Sequence, residues 1–336
     1  MEGELTLEEI KKAYERIKPH IKRTPIDYSY NLSDIIGSHL YLKLEMLQRC
    51  KAFKFRGALS KISTLPKGSK IACASAGNHS QGCALSAKIC GLKCIVYMPE
   101  TAPEAKVLAT KGYGAEVRLY GKVFDEANQK CKEDVKNDPE LIFVPPFDDL
   151  YVMAGQGTIG LEIAEDLKDV NTVVVPVGGG GLCAGVCVAI KSLLPKCRIV
   201  AVNSASFPNT YIKYQKEKNR EIDPLVETKP LKRKRTIADG IAVEVPGTLT
   251  FPYILKYVDE FVVVSDSEID CAISVLAQRV KVVVEGAGAS TLAAVLYRKF
   301  KYDKDENILC ILSGGNIPLN KLSECFTESE DFLKHH

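Results

Sequence analysis

The chain predicts an α/β protein of two open, twisted, mostly parallel sheets covered by helices, and three observations lead there. Short β-rich runs alternate with helical segments at the spacing of β-α units. Several of the runs, such as Val173 to Val177 (VVVPV), are apolar throughout, as strands buried on both faces must be. With 336 residues, 46% of them hydrophobic, the chain is long enough for a large core and two lobes.

The elements follow in order. Residues 1–17 (MEGELTLEEIKKAYERI) read as an amphipathic helix of mixed charge, unlike a secretory leader. Ile71–Ala74 is a strand leading into SAGNHSQG and a small-residue helix from Gln81 to Cys90. Lys93–Met98 is a strand, and a helix opens near Pro103 and closes with Gly112. Glu116–Leu119 is a strand, Val123–Lys136 a helix, and Leu141–Val144 a strand ended by Pro145-Pro146. Val173–Val177 runs into four glycines and a helix beginning near Leu182, and Arg198–Asn203 repeats the strand pattern. The expected organisation is a larger lobe from residues 1–68 and 148–326, a smaller one from 69–147, and a polar tail at 327–336 that frays. No regulatory domain is expected after Cys325.

Composition narrows the partners. The net charge of +3 is spread thinly; the one basic run, Lys229 to Arg235, reads as a solvated loop rather than a nucleic-acid contact. No tract approaches the ~18 apolar residues of a membrane span. Seven of the twelve cysteines (Cys73, Cys83, Cys90, Cys94, Cys183, Cys187 and Cys310) sit among aliphatic residues, no C-x-x-C pair occurs, and the five histidines do not fall at ligand spacing near them. Reduced thiols, no metal and a cytoplasmic location are the expectation.

Four motifs stand at strand-to-helix turns, where ligand sites of open α/β sheets collect. In Lys51–Gly57 (KAFKFRG), Lys54 lies between two phenylalanines, and burial there lowers an ammonium pKa toward the range of a nucleophile or base; a lysine snorkelling past apolar neighbours has the same appearance. Gly178-Gly179-Gly180-Gly181 after a buried strand makes a cup of backbone N–H groups for one phosphate, or a tight turn needing positive φ. Ser75-Ala76-Gly77-Asn78-His79 offers hydroxyl, amide and helix-start N–H groups to a carboxylate or phenolic oxygen, or caps a helix. Ser313-Gly314-Gly315-Asn316 places a hydroxyl where a ring nitrogen could meet it, or is a turn.

In this order, with Arg23-Thr24-Pro25, KLEMLQ, PPFDD, GQGTIGLEI, TIADG and VEGAGA, the motifs resemble the fold-type II pyridoxal-phosphate enzymes of the tryptophan synthase β family, and most of all short catabolic threonine/serine dehydratases and serine racemases. The resemblance implies pyridoxal 5'-phosphate in the cleft between lobes, carried by Lys54 as catalytic residue and packed by Phe53. It further implies Asn78 on the phenolic oxygen, Gly178, Gly179, Gly180, Gly181 and the Leu182 amide on the phosphate, Glu285 near the ring and Ser313 at the pyridine nitrogen. Ser75, Ala76, Asn78 and His79 would hold the substrate carboxylate, with Asp239 and Gly240 on the substrate side. The implied reaction is α-proton abstraction by Lys54 and loss of the β-hydroxyl of threonine or serine, releasing 2-oxobutanoate or pyruvate and ammonia. A homo-oligomer, dimer or tetramer, is implied too.

Two departures separate close relatives. Racemases carry a serine before the GNH triplet that acts on the face opposite the lysine, and here that position is Ala76, whose methyl group moves no proton. Their divalent-cation ligands would fall near Asn203, Phe207 and Asn209, where amides replace carboxylates. Dehydratase is therefore the first expectation, with serine racemase or 3-hydroxyaspartate dehydratase/racemase as the alternative.

Overall fold

A computed structural model describes residues 3–226 and 236–328. The basic run at 229–235 and the tail beyond residue 328 lie outside the described residues. In chain order the elements are α1 Leu7–Ile17, β1 Ile26–Tyr28, α2 Tyr30–Ile36, β2 His39–Leu44, α3 Lys54–Ile62, β3 Lys70–Ala74, α4 Asn78–Cys90, β4 Lys93–Met98, α5 Glu104–Gly112 and β5 Glu116–Leu119. They continue with α6 Phe124–Asn137, β6 Leu141–Phe143, α7 Leu150–Asp166, β7 Thr172–Pro176, α8 Gly181–Leu193, β8 Arg198–Ser204 and α9 Asn209–Glu217. The last are α10 Phe251–Tyr257, β9 Glu260–Val264, α11 Asp266–Val275, α12 Gly286–Leu296, β10 Asn307–Leu312 and α13 Leu319–Glu328.

Two sheets form. One has six strands in the order β1-β2-β10-β7-β8-β9, parallel except for β1, and the other has four parallel strands in the order β5-β4-β3-β6. Side chains of a strand alternate between faces. In β7, β8 and β10 both sets are apolar and buried: Val174, Val200 and Cys310 face one core layer, and Val173, Ile199 and Leu309 the other. The smaller sheet repeats this, with Ile71, Cys73 and Val96 on the layer that α4 joins and Ala72, Ile95 and Tyr97 on the layer of α6.

Helix starts follow from local chemistry. Thr6 caps α1, Asp149 accepts from the N–H groups of Tyr151 and Val152 at the start of α7, and Ser265 with Glu268 forms a capping box on α11. The helix expected from Gln81 begins three residues earlier, at Asn78, because Gly77 serves as its N-cap. All twelve cysteines are free, and all but the half-buried Cys90 are buried. One expectation fails here. Histidine and cysteine do come together: His79, Cys73 and Cys83 place one nitrogen and two sulfurs within 4.8 Å of one another. Their sequence spacing hid this, since β3 and the i, i+4 face of α4 supply the three groups. Among the described residues, no helix is long and apolar enough to cross a membrane.

Candidate active site

Lys54 opens α3, and its position is set by a splice between two loops. Phe53 N–H donates to the Ser313 carbonyl (3.0 Å), Gly315 N–H donates to the Lys51 carbonyl (2.9 Å), and Ala52 bridges Gly314. The ammonium donates to the Pro146 carbonyl at 2.7 Å and lies 5.3 Å from the centroid of the Phe53 ring. Part of the side chain remains accessible, but protein surrounds the ammonium. Loss of water lowers its pKa to about 8, against the opposing pull of Cys83 and Glu285. Near neutral pH an appreciable fraction of this amine is therefore free to act as nucleophile or base.

Two residues further along α3, Arg56 is wholly buried in a four-charge network. Its guanidinium donates to Glu45 (2.8 and 2.9 Å) and to Glu162 (2.7 and 2.9 Å), while Lys43 donates to Glu162 at 2.6 Å and to the Thr24 carbonyl at 2.7 Å. Two cations balance two carboxylates, so the first turn of α3 is tied to β2 and α7 without net buried charge.

The glycine loop follows β7. Gly180 has φ +95°, the left-handed region where a side chain is strained. A Cβ on Gly179 or Gly181 would collide with Phe147, and one on Gly178 would meet the Ile241 backbone at 3.0 Å. The carbonyls of Gly178 and Gly179 are taken by the hydroxyls of Thr210 (2.7 Å) and Thr250 (2.6 Å). No side chain caps α8, which begins at Gly181, so the first-turn N–H groups, Leu182 included, are left for an anion. The packing thus closes the Cβ side of the loop and leaves a bare backbone cradle at the start of α8.

Asn78, Glu285 and Ser313 converge from three separate turns. The Asn78 amide donates to Glu285 at 2.6 Å, and its oxygen accepts from the Asn316 amide at 2.7 Å. Asn316 N–H also reaches Glu285 (3.2 Å), and its amide reaches the Cys50 carbonyl (2.9 Å). Glu285, at the N-cap of α12, is buried, and burial with the nearby Asp239 charge pushes its carboxyl up to about 7. Ser313 is buried, and its backbone carbonyl takes the Phe53 N–H.

The remaining predicted residues surround these. Ser75 turns its hydroxyl onto the Gly77 N–H (3.1 Å), and Ala76 contributes only a methyl group beside it. His79 bonds the Val144 carbonyl through Nε2 (2.9 Å), and burial lowers its pKa to about 3, so the imidazole is neutral. Asp239 is two-thirds exposed and paired with Lys106 on α5 (3.2 Å), while Gly240 packs near Ala287 and Glu285. Asn203 donates to the Val177 carbonyl (2.8 Å) and accepts from Tyr211 N–H, and Asn209 donates to the Val243 carbonyl (3.2 Å). Both amides are engaged in backbone support.

Several site residues were not singled out from the sequence. Pro146 receives the Lys54 ammonium, Phe147 packs beneath the glycine loop, and Asp148 accepts from the N–H groups of Thr248, Leu249 and Thr250. The strap Pro145–Asp148 therefore joins the lysine to the cradle. The PPFDD motif marked the strap without revealing its part, because one contact is made by a backbone carbonyl. Asn316 lay in view within SGGN, but its partner is 238 residues away.

A desolvated lysine amine, a bare glycine cradle and a buried serine residue are a set that suits a phosphorylated aldehyde cofactor. Residues 17–314 match the family model of pyridoxal-phosphate dependent enzymes, and the chain belongs to that family. It is 45% identical to an L-threonine ammonia-lyase of Thermotoga maritima over 95% of this chain and 77% of that protein. Among solved structures, the processed form of threonine deaminase isoform 2 from Solanum lycopersicum superposes with a TM-score of 0.87 at 35% identity, covering 97% of this chain and 87% of that one. Serine racemase from Dictyostelium discoideum superposes with a TM-score of 0.83 at 35% identity, covering 94% and 99%. The cofactor is pyridoxal phosphate, and the cradle, the amine and the Ser313 hydroxyl suit it.

Proposed function

We propose that the protein dehydrates and deaminates L-threonine, and L-serine beside it, to the 2-oxo acid and ammonia. The observation that carries this is the Lys54 amine, held at the Pro146 carbonyl next to the glycine cradle with its pKa lowered to about 8. When bound, pyridoxal phosphate supplies the electron-withdrawing system that acidifies the α-proton of an attached amino acid. The chain supplies the rest. Gly178 to Gly181 and the Leu182 amide would fix the phosphate, the Asn78 amide would hold the phenolic oxygen, and Ser313 would meet the ring nitrogen. Phe53 would pack the ring. Ser75, Ala76, Asn78 and His79 form the loop that would receive the substrate carboxylate, with Asp239 and Gly240 on the substrate side. Lys54 Nζ, deprotonated, takes the α-proton. Ser313 offers a neutral hydroxyl rather than a carboxylate, so it would leave the ring nitrogen largely unprotonated, which suits elimination more than transamination.

Racemisation requires a second proton carrier on the opposite face, and the methyl group of Ala76 supplies none. The amides of Asn203 and Asn209 bring no carboxylate charge to the position where a divalent cation would sit, which supports a reaction free of a divalent-cation requirement. We infer two lobes, a smaller one of residues 69–147 and a larger one of 1–68 and 148–326; the four-stranded sheet falls wholly within the former. Twelve free thiols support a reducing, cytoplasmic setting. Assembly into a homo-oligomer rests on the family resemblance, and light scattering measures it.

The test is to supply L-threonine, L-serine and L-threo-3-hydroxyaspartate to the purified holoenzyme and quantify oxo acids, ammonia and D-serine. Equal yields of 2-oxobutanoate and ammonia from threonine are expected. Fast build-up of D-serine without pyruvate would establish the racemase instead. One methyl group separates the two hydroxy amino acids, worth ~1–3 kcal/mol of discrimination, so turnover of both is expected.

A further inference from the structure

We propose that Cys73, His79 and Cys83 form a binding site for a thiophilic metal ion of the Zn²⁺ and Cd²⁺ class, set between β3 and α4. Cys73 projects from β3 into the layer that α4 covers, and His79 and Cys83, four residues apart, share the facing side of α4. Two sulfurs and one ring nitrogen lie within 4.8 Å of one another, and among the described residues no other trio of His, Cys, Asp or Glu draws together this closely. With bond lengths of about 2.3 Å to sulfur and 2.0–2.1 Å to nitrogen, a tetrahedral site spaces its donors roughly 3.5–3.8 Å apart. Cys83 Sγ stands 3.8 Å from His79 Nδ1 and 3.5 Å from Nε2, against the ring, so a small turn of the thiol brings it to the Nδ1 side for ligation.

The histidine is prepared for this role. Nε2 faces the Val144 carbonyl at 2.9 Å and must donate to it, which leaves Nδ1 as the ring nitrogen with an available lone pair. Ligating histidines in metal sites are oriented by the same bond from the outer nitrogen. Cys94, on the neighbouring strand β4, interacts with Cys73 but lies outside the close trio, so the fourth position is left to water or an exogenous ligand. Binding would release the protons of Cys73 and Cys83, and two thiolates with a neutral imidazole cancel a divalent charge, so the filled site adds no net charge to an apolar layer. The site abuts the Lys54 pocket: a Cβ placed on Gly82, beside Cys83, would meet the Lys54 backbone at 3.3 Å.

The experiment loads reduced, chelator-stripped holoenzyme with Cd²⁺, removes free metal by gel filtration and records sulfur-to-cadmium charge-transfer absorption with the metal content. One Cd²⁺ per chain with that absorption is expected for the unsubstituted protein and for Cys187→Ala, which removes a thiol from the separate Cys183–Cys187 pair. Cys73→Ala and Cys83→Ala should each lose the absorption and the retained metal. Absence of the band in the unsubstituted protein, or its persistence in Cys83→Ala, overturns the proposal. So does a Cys73–Cys83 disulfide found by mass spectrometry in protein never exposed to oxidant. Should the two variants fail to fold, X-ray absorption of Zn²⁺-loaded unsubstituted protein decides: at least two sulfurs at about 2.3 Å with one nitrogen at about 2.0–2.1 Å upholds the site, and a shell of oxygen and nitrogen only rejects it.

Discussion

Arg56→Met removes one cation from the balanced quartet behind the lysine. Glu45 and Glu162 are then left facing Lys43 alone, all three fully buried. Breaking a buried ion pair by deleting one partner costs ~3–5 kcal/mol, because the surviving charge has neither water nor a counter-ion. Unfolding entropy of ~2.1 cal/mol/K per residue gives about 0.7 kcal/mol/K for a chain of 336 residues, so the loss corresponds to a fall in Tm of ~4–7 °C. Differential scanning calorimetry of the apoprotein measures it directly. Arg56→Met combined with Glu45→Met leaves the directly bonded pair Lys43–Glu162, so the double variant should recover part of the loss. A drop in Tm below about 1 °C for Arg56→Met, or a double variant worse than the sum of its parts, would refute the reasoning. The quartet also bears on acid stability. Burial alone would push the Glu45 carboxyl up, but Arg56, Lys43 and Thr24 more than reverse this and hold it below the ordinary value of 4.5. Its contribution is present above that value and is lost as pH falls below it.

Three further outcomes test the site residue by residue. Amine-specific labelling of Lys54 in the apoprotein, read by peptide mass spectrometry, should be half-maximal near pH 8, since the folded pKa lies below the ordinary 10.5 and the reactive neutral form gains as pH rises through it; a midpoint near 10.5 would contradict the desolvation. Asn316→Ala removes one of the two hydrogen bonds that orient the Asn78 amide, leaving only Glu285, so pyridoxal phosphate should bind the apoprotein up to about 10-fold more weakly by absorbance titration, about 1.4 kcal/mol, and unchanged affinity would remove Asn316 from the site. Gly179→Ala drives a methyl group into Phe147 and should lower cofactor affinity by 10-fold or more, whereas an unaltered titration would mean that the cradle is not the phosphate site.

The fold was readable because its signals are local. Apolar runs ending in glycine or proline mark strands buried on both faces, and β4 and β5 begin and end where their composition changes. The chemistry-bearing turns were readable for a related reason: Lys54, Asn78, Gly178–Gly181 and Ser313 each sit at the carboxyl end of a strand, where topology brings loops together. What escaped detection depends on long-range pairing. Lys43 and Glu162 are 119 residues apart, and nothing near either shows that its charge is buried. The Pro146 carbonyl that holds Lys54 is a backbone group, identical in every residue, so residue type cannot flag it. The meeting of Cys73 with His79 and Cys83 depends on how α4 lies on β3, a packing fact rather than a pattern.

The central claim is that the cofactor is carried by the amine at position 54. Borohydride reduction of the holoenzyme, followed by peptide mapping with mass spectrometry, tests it most directly. The account predicts one pyridoxyl adduct per chain, on Lys54. An adduct on any other lysine, or none from a fully loaded yellow preparation, would contradict it.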